Sequence, residues 1–249
     1  MKKFELTTES KINWFGHTLY RVKACISFTT TSGEAIKEGD LGGWVEKEQN
    51  LFHGGKAWIA GNAEVWGNAK VWGNAKVSGN AEVSGNAEVW GNAKVYGNAK
   101  VGDDAEVSGN AEVSGNAKVY GNAKVGDAKV WGNAEVWGNA EVSGNAEVWG
   151  NAKVYGNAEV YGNVKVCDDA NIFSTKHIFC VTPIGRYANS LTVFRTKKRE
   201  LKISFGFKTY GVEEFRKVIY NSWDEKYVDI AEGAISLAKK HIDLTPERC

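Results

Sequence analysis

From Ile59 to Ile172 a branched aliphatic residue recurs every sixth position, through Val65, Val71 and Val77 to Val166, with one step of five between Val125 and Val130. An alanine stands two residues before nearly every member of this series. Within a segment such as Ala69-Lys-Val71-Trp the apolar and polar positions alternate, which predicts a short strand with Ala69 and Val71 facing inward and Lys70 and Trp72 facing outward. The Gly73-Asn74 pair that follows joins two residue types that tolerate a left-handed backbone, so each hexad reads as one strand and one tight corner. A single hexad buries almost nothing. The chain must stack coil on coil, which makes the fold a mainly β solenoid with a narrow Ala/Val core.

An aliphatic first position and a small fifth one, as in Val71-Trp-Gly-Asn-Ala75-Lys, resemble the hexapeptide-repeat, left-handed β-helix family. That resemblance implies triangular coils of 18 residues, about six of them, in a rod about 30 Å long at ~4.8 Å per stacked strand. The outward charges suggest an alternative. From Glu64 to Lys124, residues 12 apart are opposite in sign in all nine pairs, but residues 18 apart in only four of eight. Opposite charges stack favourably on adjacent strands, so a flat solenoid with 12-residue coils is the competing expectation. A 24-residue duplication (63–86 and 87–110) also accounts for the sign pattern.

The repeat lapses in three places. Val125-Gly-Asp-Ala is one residue short, which predicts a pinched corner, and Asp103-Asp104 and Asp168-Asp169 replace Gly-Asn. These acidic corners supply too few oxygens for calcium and are expected to be turn residues. Residues 1–56 form a predicted N-terminal β cap. In it the glycine-rich GDLGGW segment leads onto the first coil, and its Trp44 is a candidate plug for the open core. Residues 57–173 form the solenoid. Residues 174–249 predict a small α+β domain: strands in HIFCVTPIG, LTVFRT and LKISFGF, a hairpin turn at KKRE (197–200), and helices in VEEFRKVIYNSW and EKYVDIAEGAISLAKKHI. In the second helix Tyr227, Ile230, Ala231, Ala234, Ile235, Ala238 and Ile242 share a face.

The order HTLYRVKA (17–24), GDLGGWVEKEQNL (39–51) and GGKAWIAGNAEVWGNA (54–69) is similar to a phage- and prophage-encoded group of hexapeptide proteins, often described as polymer-forming cytoskeletal or simply phage proteins. No activity common to the group follows. The resemblance implies a role in a host cytoplasm, such as binding and inhibiting a host factor of a defence system.

Charge adds little. The chain holds 31 basic and 30 acidic residues, and counted by segment the balance is 8 to 7 in 1–60, 9 to 14 in 61–173 and 14 to 9 in 174–249. No field of one sign argues for nucleic acid or a lipid surface. Cys25, Cys167, Cys180 and Cys249 form no CxxC pair and are expected as free thiols in a reducing cytosol. The start, MKKFELTTES, has no apolar run after its lysines, so no secretory signal is expected, nor does any segment approach a membrane span.

Enzymes of this fold, acyltransferases above all, generally need a histidine on the coils and a projecting loop. The histidines are His17, His53, His177 and His241, none on the repeat, and no loop interrupts it. No catalytic residue, metal or cofactor is therefore expected, and the H-x-x-C pair His177/Cys180 is too small to be a metal site. A degenerate acyltransferase and a purely structural, polymer-forming scaffold are the rival functions. The outward aromatics at the position after the core valine carry the stronger signal. With 18-residue coils, Tyr120, Trp137, Tyr155 and Phe173 fall in one column and Trp131 and Trp149 on the neighbouring face. They predict cross-strand ladders, an exposed binding face, or both. Single-stranded nucleic acid is disfavoured by the acidic coils. The expected partners are a second or third copy of the chain and a host protein or small molecule. The basic turn Arg195, Lys197, Lys198, Arg199 and Lys202 is a candidate phosphate or partner contact, against the plainer reading of a solvated hairpin tip.

Overall fold

A computed structural model describes residues 2–185 and 188–246; Cys249 lies outside them. Strands β1 (Phe4–Ile12) and β2 (Thr18–Ala24) form an antiparallel hairpin, and β3 (Phe28–Thr29) pairs with β4 (Ala35–Ile36). β5 (Leu41–Val45) pairs antiparallel with β2 and parallel with the coil strand at Glu64–Val65. The twenty coil strands β6–β25 run from Trp58–Ile59 to Asn171–Ile172. Their pairings with one another are parallel and join residues 18 apart, as in Val65, Val83 and Val101, or 17 apart across the short hexad, as in Val113 and Val130. The strands fall on three faces, so the solenoid is three-sided and the 12-residue coil is excluded.

There are about seven coils rather than six. Val45 and Leu51, in the segment expected as cap, already stand above Val65 and Val71. This first turn crosses very close to the next. A Cβ on Gly43 would lie 2.4 Å from Ile59 Cγ2 and 2.7 Å from the Ala63 carbonyl oxygen, which is why GDLGGW needs its glycines. Trp44 does not plug the core. It sits outside with Leu19 and Trp66, flanked by Lys11 and Arg21, while Phe4, Ile36 and Trp58 close the end. The Lys3 ammonium group donates to the Ala57 carbonyl at 2.8 Å.

Register also explains the charges. Glu88 over Lys70, Lys94 over Glu112 and Lys100 over Glu82 form ion pairs of 2.9–3.1 Å. Glu64 stacks on Glu82 and Lys76 on Lys94, and the cap supplies counter-charges to both: Lys11 to Glu64 and Glu34 to Lys76. The 12-residue sign alternation relates positions on different faces and does not govern the stacking.

Of each Gly-Asn pair it is the glycine that takes the left-handed corner, with φ of +65° to +74° from Gly61 onward in most coils, and Asp103, Asp127 and Asp168 replace it at 55–57°. Asparagine has another role: its Nδ2 donates to the Oδ1 of the residue one coil on, at 2.8–3.3 Å. One ladder runs unbroken from Asn62 to Asn151. The other two break at Asp104 and Asp127, because a carboxylate accepts and cannot donate onward, and resume from Asn122 and Asn145. At the short hexad the Asp127 carboxylate takes the place of a missing peptide carbonyl. It accepts the Asn110 backbone N–H at 2.7 Å, where equivalent corners use a glycine carbonyl, as in Asn92 to Gly109 at 2.8 Å. The corner is filled rather than pinched.

The tail forms the antiparallel sheet β26 (Ile178–Ile184), β27 (Asn189–Arg195), β28 (Leu201–Phe205) and β29 (Lys208–Gly211), with α1 (Val212–Ser222) and α2 (Glu225–His241) on one side. Leu191, Val193 and Ile203 face the helices and make a second core with Phe215, Ile219, Ala231 and Ile235. In α2 Val228 is buried, whereas Ile230, expected on the inner face, is exposed. The sheet's other side closes the solenoid: Phe194 enters the Ala/Val core, Thr192 accepts the Lys165 N–H, and Thr209 bonds Cys167. Among the described residues no helix is long and apolar enough to cross a membrane.

Candidate binding face

Each coil strand presents one side chain just after its core valine, and the 18-residue register stacks these into three columns. The first runs Trp66, Ser84, Gly102, Tyr120, Trp137, Tyr155, Phe173. The second runs Phe52, Trp72, Trp90, Ser108, Gly126, Ser143, Tyr161, and the third Ala60, Ser78, Tyr96, Ser114, Trp131, Trp149, Cys167.

In the first column Trp137 and Tyr155 stack at 4.5 Å, and Tyr155 meets Phe173 at 5.4 Å with the rings tilted. Tyr120 belongs to this column but lies over Gly102, where a Cβ would come within 2.7 Å of its ring. Burial, with Glu82, Asp103 and Glu135 nearby, raises its pKa. Trp131 and Trp149 stack at 5.1 Å, nearly parallel, in the third column. Five of the six expected residues therefore form two ladders on two faces, and Tyr120 lies over Gly102 instead. A further ladder, Trp72 on Trp90 at 5.1 Å, borders a groove of about 280 Å³ with Phe52.

The basic turn does not converge. Arg195 is buried, with its guanidinium 4.9 Å from the Phe173 ring centre and a bond to the Thr245 carbonyl. Lys202 turns to Asp168 and Asp169. Lys197, Lys198 and Arg199 remain on the exposed hairpin tip.

The histidines are scattered. His17 bonds Glu46 and His53 bonds Glu48 at the N-terminal end, with His53 stacked on Phe4. His177 packs edge-on against Phe173, and His241 bonds the Thr175 carbonyl. Burial raises the pKa of Cys167 and Cys180, which disfavours their thiolate forms. No group of three or more His, Cys, Asp or Glu among the described residues is placed to hold a metal ion.

One feature escaped sequence reasoning. A cavity of about 460 Å³ opens in the third column where Ser114 separates Tyr96 from Trp131, and the β28–β29 tip brings Phe207 to its edge. Lys165 fastens that tip, donating to the Gly206 carbonyl at 2.9 Å and lying 4.4 Å from the Phe207 ring centre. The Tyr-Ser-Trp order at the post-valine position is legible once 18-residue coils are assumed. The arrival of Phe207, 93% exposed, is not. No protein-family model and no curated protein matches the chain.

Proposed function

We propose that this protein is a non-enzymatic binding protein, a rigid solenoid that presents aromatic ladders and the tip of its C-terminal domain to a partner. The observation that carries the reading is the set of stacked, solvent-facing rings on an otherwise uniform rod, joined at the third column by Phe207. Cross-strand stabilisation alone requires no exposure, yet Trp137 keeps 41% of its surface in water. The phage-like order of the first segments makes a host factor, bound and sequestered in the cytoplasm, the specific form of the proposal. Self-association into a dimer or trimer through a lateral face is compatible with it. Polymerisation through coil ends is the weaker reading, because the N-terminal hairpins and the β26–β29 sheet cover both ends of the core.

The test is partner capture from host cells by the full chain and by the variant with Trp131, Trp137 and Trp149 all changed to serine, alongside light scattering of both. Loss of one specific partner or of a discrete oligomer, with the coils still folded, is the expected outcome. Unchanged capture and unchanged mass would sink the aromatic-face reading. Acyl-CoA turnover abolished by changing His177 or His53 would replace it with an enzyme.

A further inference from the structure

We infer that the gap at Ser114 is a slot for the flat base of a nucleotide, with Lys129 holding its phosphate. The inference rests on the aromatic face being a binding surface and names what one part of it takes. Tyr96 and Trp131 are two coils apart, so their levels are separated by about 9.6 Å, twice the strand spacing. The protein's own parallel rings stack at 4.5–5.1 Å. One planar ring placed midway would therefore be a rung in register, continuing Tyr96, guest, Trp131, Trp149 without a break. Base–aromatic stacking of this kind is favourable for any base, because every base has a π-face.

The other columns offer no such slot. In the first, two small residues, Ser84 and Gly102, separate Trp66 from Tyr120, and Tyr120 itself covers Gly102. In the second, Ser108, Gly126 and Ser143 leave an open trough. Only at Ser114 does a single small residue lie between two rings, with Phe207 as a side wall.

Charge selects the rest of the ligand. On the same strands, Glu112 pairs with Lys94 and Glu147 with Lys165. Lys129 stands between those two glutamates, exposed, and forms no ion pair among the described residues. Its ammonium group is the uncommitted cation at the rim, suited to a phosphate next to the stacked ring. The cavity of about 460 Å³ is larger than a ring alone requires and leaves room for a sugar and phosphate.

The test is calorimetry and tryptophan fluorescence on the full chain, titrated with AMP, adenosine, inorganic phosphate and glucose. Saturable AMP binding is expected, abolished by Ser114→Trp, which fills the slot, and by Tyr96→Ala, which removes one wall. Lys129→Gln should weaken AMP about tenfold, the scale of one charge-assisted bond, and leave adenosine unchanged. Thermal melting of each variant checks that the coils persist, and Tyr96→Ala decides if Ser114→Trp fails to fold. The inference is overturned by absence of saturable AMP binding, by AMP binding that ignores both slot variants, or by glucose binding in place of AMP. Ser114→Trp leaves Trp131, Trp137 and Trp149 in place. Failure here together with partner loss in the serine variant would discard the slot and keep the aromatic face.

Discussion

Replacing Asp127 tests whether a side chain can stand in for a missing backbone residue. In a complete corner the asparagine N–H binds a glycine carbonyl one coil on; at the short hexad the Asn110 N–H, and its Nδ2 at 3.0 Å, both bind the Asp127 carboxylate. Asp127→Ala removes that acceptor, and a hydrogen bond to a charged group contributes roughly 1.5–3 kcal/mol, with the lower end fitting this exposed corner. It also places alanine at φ 55°, where a Cβ-bearing residue without a local polar contact loses about 1 kcal/mol more. The total is about 2–3 kcal/mol. Asp127→Asn keeps the acceptor oxygen and the tolerance of positive φ, and should cost under about 1 kcal/mol. Replacing Asp127 by Gly-Asn restores the full hexad and should be close to neutral.

Denaturant midpoints give the ranking, but a stacked array need not unfold in one step. Amide exchange supplies the local reading. The Asn110 N–H should lose protection in Asp127→Ala, while the Asn92 N–H, bound to Gly109, keeps it. Stability within about 0.5 kcal/mol of the parent, the ordinary scatter of surface substitutions, with Asn110 still protected, would refute the reasoning.

Two further outcomes are expected. Gly162→Ala and Gly91→Ala both put alanine at φ near +72°, but a Cβ at Gly162 meets nothing within 4 Å whereas one at Gly91 lies 2.9 Å from the Gly109 nitrogen and oxygen. The first should cost about 1–2 kcal/mol and the second at least about 1 kcal/mol more; equal midpoints would deny the close coil-to-coil approach. Burial lowers the Lys3 pKa from 10.5 to about 8. The unfolded chain therefore binds the extra proton between those values, so stability should rise from pH 8 towards 10.5 and fall as pH drops back through 8. The limit is on the order of 3 kcal/mol, trimmed by residual solvation. Lys3→Met should lack this slope in a pH series of urea midpoints, and a parallel slope in both proteins would contradict it.

The core was legible because Ala and Val at alternate positions admit only one inside. The tail's helices and its first three strands were legible for the same reason of periodicity, with Ile230 and Val228 exchanged at the edge of a face, whereas the fourth strand, Lys208–Gly211, was not expected. What misled was charge: the 12-residue alternation carries no stacking information, since its members lie on different faces. The asparagines were assigned to backbone tolerance, while their side chains build ladders that need the three-dimensional register to be seen. Arg195 and Lys202 read as one basic patch, yet strand alternation and the acidic corner at Asp168-Asp169 turn them to different neighbours. Trp44 and Phe207 depended on how the caps fold against the rod, which no local pattern encodes.

A solenoid of this kind has few places to make a concavity. Its interior is filled by Ala and Val at zero exposure along almost its whole length, and its corners are fixed by glycine and the amide ladders. Relief on the faces comes from the size of the residue after each valine. A small residue next to other small ones makes a trough, which holds nothing in place, and a large residue on a large one makes a ladder, which excludes a guest. One small residue between two large ones makes a slot one rung high, and among the columns this order occurs at Tyr96-Ser114-Trp131. The same logic makes the slot transferable. Ser78→Tyr would extend the upper stack above Tyr96 without touching the gap, whereas Trp131→Ser would merge the slot with open solvent on the same face. If recognition by this rod depends on rung order rather than on any single aromatic, Trp131→Ser should abolish ligand binding and Ser78→Tyr should preserve it, although both change one outward residue of the same column.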